Sequence, residues 1–306
     1  MRAVIRALAV FALAALGSDA HTASSDPRPG TVAYTANGKL WRIPAGGGEP
    51  VELAQLPEGA TVRGIEASAN ARLLVLDLDG VTGWVQMGEG NRRVAVAPCT
   101  GAGRPSPDGK ALVCPGGPTT TIVQPAVWRA RELDLEPDGV QFLGTSKRLA
   151  IERNDQIIAV DADAAHDSEV LAPHRPARAF LVSPNGKRAV GVYDGATEDD
   201  PSSTYTFRLD GKAAKRKLGE MVTPVAWSPS SRWVLLRTDK LACLARAVGG
   251  EYKCWKRYEP RGFSPDSRHV LLYRDGALYT APIAGVEPAR PKRLVDNVDG
   301  PATWLK

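Results

Sequence analysis

The chain is poor in the features that define several protein classes. It has only four cysteines in 306 residues, too few for a disulfide-dense mini-scaffold. Past the N-terminus no apolar run approaches the ~18 residues of a spanning helix, so no integral membrane segment is expected there. No long stretch has a 3.6-residue apolar period, which argues against a helical domain. The catalytic signatures are missing too. There is no Gly-x-Ser-x-Gly elbow, no His-Glu-x-x-His, no phosphate loop and no dinucleotide-binding glycine fingerprint. Gly46-Gly47-Gly48 falls between two strand candidates and reads as a turn. Of the four histidines (His21, His166, His174, His269), neither His21 in the lead-in nor His269 after Arg268 has a sequence neighbour that suggests a triad.

What is present begins with a leader. Arg2 and Arg6 precede an apolar run from Ala7 to Leu16, and Ala15 and Gly17 are small residues placed for a cut before Ser18. A cut after Ala20 is the alternative. This is the form of a secretory signal peptide over residues 1–17, followed by a flexible Ser/Pro/Asp-rich lead-in over 18–30. Cleavage removes two arginines and no acid, so the formal charge of +5 falls to +3. That excess does not indicate a nucleic-acid partner. A periplasmic or secreted location is expected. The cysteines fit it, because Cys99/Cys114 and Cys243/Cys254 form two close couples. Pairing within each couple is the simplest of three connectivities.

Glycine (30) and proline (24) are plentiful, and they punctuate a repeat. Ser68-Ala-Asn-Ala-Arg72, Ser106-Pro-Asp-Gly-Lys110, Ser183-Pro-Asn-Gly-Lys187, Ser228-Pro-Ser-Ser-Arg232 and Ser264-Pro-Asp-Ser-Arg268 each lead into an apolar run, and Leu143 opens a degenerate copy. Aligned on the basic residue, the steps are 38, 37, 40, 45 and 36 residues. A period near forty filled with short strand-like runs predicts propeller blades of four antiparallel strands. In the clearest unit the strands a to d fall at 224–228, 233–238, 241–247 and 252–257.

The count closes when the ends are joined. Residues 300–305 resemble a first strand with nothing after it, whereas Thr31–Ala36, Lys39–Pro44 and 50–56 supply three strands with none before them. The fold class read here is all-β, a seven-bladed propeller over 31–306 closed by the C-terminal strand. A six-bladed ring is the alternative, because the third unit is irregular.

The Ser-Pro-Asp-Gly-Lys/Arg phrase resembles the WD-type propeller repeats of the TolB-like family, and the resemblance covers most of 31–305. It implies binding of other envelope proteins without catalysis. The family's bacterial member has six blades and a small N-terminal α/β domain, for which residues 18–30 leave no room.

Two clusters are candidate sites. Asp194, Glu198, Asp199 and Asp200 lie in the long b–c loop at 194–203 that lengthens one repeat to 45 residues. The d–a links, which share that face, bring His174, Arg175, Arg257 and Arg261, so acidic and basic groups are expected on one rim facing a polar protein partner. Asp161, Asp163, Asp167 and Glu169 offer hard oxygen ligands and make a structural calcium ion conceivable, although the EF-hand pattern fails. No other cofactor is implied. The reading is thus a monomeric, exported, non-catalytic propeller that binds an envelope or extracellular protein. The alternatives are a lyase or glycan hydrolase with paired carboxylates at the central channel, and a calcium-stabilised propeller.

Overall fold

The computed structural model describes residues 30–305 apart from 88–93, 101, 117–118, 134–138, 164–168, 175, 196, 198, 213, 251 and 285–287, and gives no side chains for 98–100, 115–116 and 179. The expected leader (1–17) and all of the expected lead-in except Gly30 lie outside it. Within it are seven four-stranded antiparallel sheets, so seven blades replace the six-bladed alternative.

Blade 1 is built from both ends of the chain. Ala302–Leu305 is its inner strand a, followed outward by Thr31–Ala36 (b), Lys39–Pro44 (c) and Val51–Gln55 (d). Thr31 stands opposite Leu305 and Tyr34 opposite Ala302. Blades 2 to 7 follow in chain order over 64–100, 104–133, 139–172, 178–220, 223–256 and 259–295. Closure leaves no inner-to-outer sheet without its four strands and hides edges that would otherwise pair with other chains.

The two-residue period of a strand explains the packing. In strand b of blade 1, Val32 and Tyr34 join a cluster with Leu271 and Leu278 of blade 7. Ala33, between them, joins one with Leu74 and Leu76 of blade 2. Each middle strand therefore buries both faces, which is why these runs are nearly continuous in apolar residues.

The repeated serine explains the register of each blade. Ser106 is fully buried. Its hydroxyl donates to Asp108 Oδ1 at 2.7 Å and accepts from the Ala111 N–H at 3.0 Å. Ser68, Ser183 and Ser264 make the same pair of bonds to the residues two and five positions on. The fourth position takes a left-handed backbone, φ +63° at Gly109 and +68° at Gly186. That is why glycine is common there.

Cys243 and Cys254 are directly opposite on strands c and d of blade 6 and form a disulfide. Cys114 is also disulfide-bonded; the side chain of Cys99, its expected partner, lies outside the described residues. The one helical element among the described residues is a 3₁₀ turn, Pro125–Val127. No helix among them is long and apolar enough to cross a membrane.

Candidate functional site

A ring of such blades has two loop faces. The a–b turns and c–d hairpins form an upper face, and the b–c hairpins and d–a links a lower one. Most lower-face hairpins are minimal: Asn37–Gly38, Asn154–Asp155 and Asp275–Gly276 are two residues each. Blade 5 departs from this. Residues 194–202 leave strand b after Tyr193 and return at Ser203.

The loop is folded on itself. The Thr197 N–H donates to Asp200 Oδ2 at 3.2 Å, and the Asp200 N–H donates to the Thr197 carbonyl at 3.2 Å. Gly195 permits this, because a Cβ there would collide with Asp200. Asp194, Asp199 and Asp200 are exposed, and Asp194 pairs with Arg178 at 2.8 Å. Beside the loop, the Met221 N–H donates to the Ser202 carbonyl at 2.9 Å. Met221 is 74% exposed, a large apolar side chain next to the acidic group.

The other expected rim residues divide. His174 is exposed, and its carbonyl accepts from the Tyr193 hydroxyl at 3.3 Å, which holds it against the base of the acidic loop. Arg257 is exposed on its d–a link, where its N–H donates to the Lys240 carbonyl at 2.9 Å. Arg261 is not on a link. Residues Glu259–Phe263 form the inner strand of blade 7, and Arg261 lines the channel, 3.1 Å from Glu259 and stacked 4.6 Å over the Tyr273 ring. Burial lowers its pKa, and Glu259 opposes that shift. Arg175 and Glu198 lie outside the described residues.

The inner strands enclose a channel with a cavity of about 420 Å³. A second recess of about 480 Å³ opens from it among blades 2 to 5, lined by Glu66, Asp77, Glu152, Arg104 and Gln141. Arg104 Nη1 donates to Glu66 Oε2 at 3.2 Å, joining blade 3 to blade 2. About half of the Glu66 side chain is open to solvent. Its place in the recess raises its pKa by desolvation, and the Arg104 charge opposes that shift. Burial, and then the charge of Glu152, push the Tyr193 phenol upward. Gln141 ties blade 4 to blade 5 by donating to the Phe180 carbonyl and accepting from the Val182 N–H at 3.0 Å. No residue of this recess was singled out in the sequence.

The described calcium candidates each have other partners. Asp161 Oδ1 accepts from the Asp163 N–H at 2.5 Å, Asp163 faces Arg131 at 3.5 Å, and Glu169 pairs with Arg148 at 2.9 Å. Asp167 lies outside the described residues, which contain no group of three or more metal-ligating side chains. Trp255 on the outer strand of blade 6 is 4% exposed and donates from its indole to the Ala289 carbonyl at 2.9 Å. The exposed tryptophan is Trp128, at 72%.

No family model and no curated protein matches the chain. Solved structures do. A protein of unknown function from Desulfotomaculum acetoxidans superposes with a TM-score of 0.58 at 11% identity, over 90% of this chain and 99% of that one. A chain of a mitotic checkpoint complex gives 0.59 at 13% identity, over 80% and 86%. TolB from Acinetobacter baumannii gives 0.52 at 15% identity, over 72% of this chain and 62% of that one. At such identities the likeness establishes the propeller fold alone.

Proposed function

We propose that this chain is an exported, non-catalytic propeller that binds an envelope or extracellular protein through its lower face. The observation that carries this reading is the folded acidic loop of blade 5 with Met221 beside it. A large exposed apolar side chain beside an exposed acidic loop, with Arg257 exposed on another link of the same face, supplies what a protein interface uses, an apolar anchor and charged groups around it. The ring beneath is rigid, so binding costs little loop ordering elsewhere. A similar structure, the checkpoint-complex chain, works inside a protein assembly, as its name states. The leader-like N-terminus and the disulfide between Cys243 and Cys254 support export. Replacing 194–202 by Asn-Gly should keep the melting temperature within a few degrees and abolish retention of the partner from the native envelope fraction. Equal retention by both chains rejects this surface.

A second reading is favoured by the recess. Glu66 and Glu152 line one cavity, the arrangement a channel lyase or glycan hydrolase needs. Against it, Glu66 is held by Arg104. Turnover of envelope glycans that disappears in Glu152→Gln would replace the binding reading with this one.

A further inference from the structure

We propose that the upper face, opposite the protein-binding rim, docks on an anionic lipid surface. The repeat places one cation in each a–b turn of blades 2 to 7: Arg72, Lys110, Lys147, Lys187, Arg232 and Arg268. All six are exposed, and none forms an ion pair with a described residue. Three acids on the same face are taken, Asp163 by Arg131, Glu169 by Arg148 and Asp210 by Arg208, and Glu49 in the blade 1 hairpin is exposed without an ion pair to a described residue. The carboxylates inside the crown, Asp108 and Asp266, are turned inward to serine hydroxyls and turn N–H groups.

The turns hold one another in place. Asn70 Nδ2 donates to the Asp108 carbonyl at 2.5 Å, and the Ser146 hydroxyl donates to Asp108 Oδ2 at 2.8 Å. Farther round, the Asn185 N–H donates to Ser231 Oγ at 3.2 Å and the Ser230 N–H to Ser267 Oγ at 2.9 Å. The six turns that carry the cations are therefore braced in two groups, blades 2 to 4 and blades 5 to 7, around the ring.

Exposed apolar side chains collect at the same end of the ring. Among the described residues, seven of the nine exposed large apolar ones are there. Val127, Trp128 and Val248 occupy c–d connections; Val51, Val96, Val170 and Tyr252 occupy the first two positions of outer strands. Only Val81 and Met221 lie towards the lower face. Trp128 is held out by a left-handed backbone, φ +51°, with its ring 5.0 Å from that of buried Trp84.

The seven are spread over blades 1, 2, 3, 4 and 6, not gathered in one patch. A protein partner covers one compact patch of roughly 800 Å². A bilayer meets a whole face, attracts an array of cations through its anionic headgroups, and accepts tryptophan and valine at its interface. This distribution favours lipid over an acidic protein.

The test uses the processed chain, its N-terminus read by mass spectrometry, and sedimentation with vesicles of phosphatidylcholine alone or mixed with phosphatidylglycerol. The intact chain should pellet with the anionic vesicles and not with the neutral ones. Each cation near such a surface contributes about fivefold in affinity, so K110Q/K147Q/K187Q should lose about a hundredfold. W128S should weaken binding further, and the lower-face control R153Q/K240Q/K256Q should bind like the intact chain. Circular dichroism checks that each variant is folded. Equal pelleting with both vesicles, no pelleting, or undiminished binding by the folded crown variant overturns the proposal. So does a crown variant that loses only the capture of an acidic protein.

Discussion

Val32 stands directly opposite Trp304 in the antiparallel register that joins the two ends of the chain. Both side chains are buried, and both pack with Leu271 and Leu278 of the preceding blade. The pair is thus a seam within blade 1 and a contact with its neighbour. The ring, and every statement about which loops share a face, depends on it.

Trp304→Ala should therefore cost more than its position at the chain end suggests. Truncating a buried aromatic leaves a cavity and removes about 3–5 kcal/mol. Chemical denaturation should show that loss together with an unchanged or lower slope. A change under 1 kcal/mol would mean that the terminal strand is not holding the ring.

Ser106→Ala removes a hydroxyl that serves Asp108 and two turn N–H groups, those of Lys110 and Ala111. In a fully buried position the unpaired partners should cost about 1–3 kcal/mol. The same substitution at Ser202, which is only half-buried, is the contrast and should cost less.

Asp108 should leave a signature in acid. Burial raises its pKa, but bonds from Ser106, Ser146 and the Lys110 N–H outweigh that, and the folded value lies below the ordinary carboxylate range. Its contribution is then complete above the unfolded value near 4 and is lost as pH falls through the lower, folded value. Wild type should exceed Asp108→Asn in stability at pH 6, and the gap should close on acidification. A gap that widens in acid contradicts this assignment.

The Cys243–Cys254 bond closes a short loop with a sequence separation of 11. Chain-entropy arguments put its worth at about 2–3 kcal/mol. Thermal melts of C243A/C254A should fall accordingly, and those of wild type should fall on reduction.

The blades were legible in the sequence because the Ser-turn-basic phrase is a local hydrogen-bonding device. Ser106, Asp108 and Ala111 must keep their offsets for it to form. The seam was legible because residues 300–305 copy the inner strand at Thr223–Trp227. The channel was not. Glu66, Arg104 and Glu152 come from separate blades, and only the closed ring decides that they line one recess. Arg261 was misplaced because the inner strand begins at Glu259, so a shift of a few residues in the link boundary moves it from rim to channel. The burial of Trp255 was not legible either, because its indole meets the Ala289 carbonyl of the next blade, a contact that spacing does not reveal.

The binding face is tested most directly by a photo-crosslinking residue at Asp199, with Lys187 on the upper face as the comparison, both irradiated in the native envelope. Asp199 should yield a discrete adduct with one protein, and Lys187 should not. A folded chain that gives no protein adduct from Asp199, or the same adduct from both positions, would contradict the account.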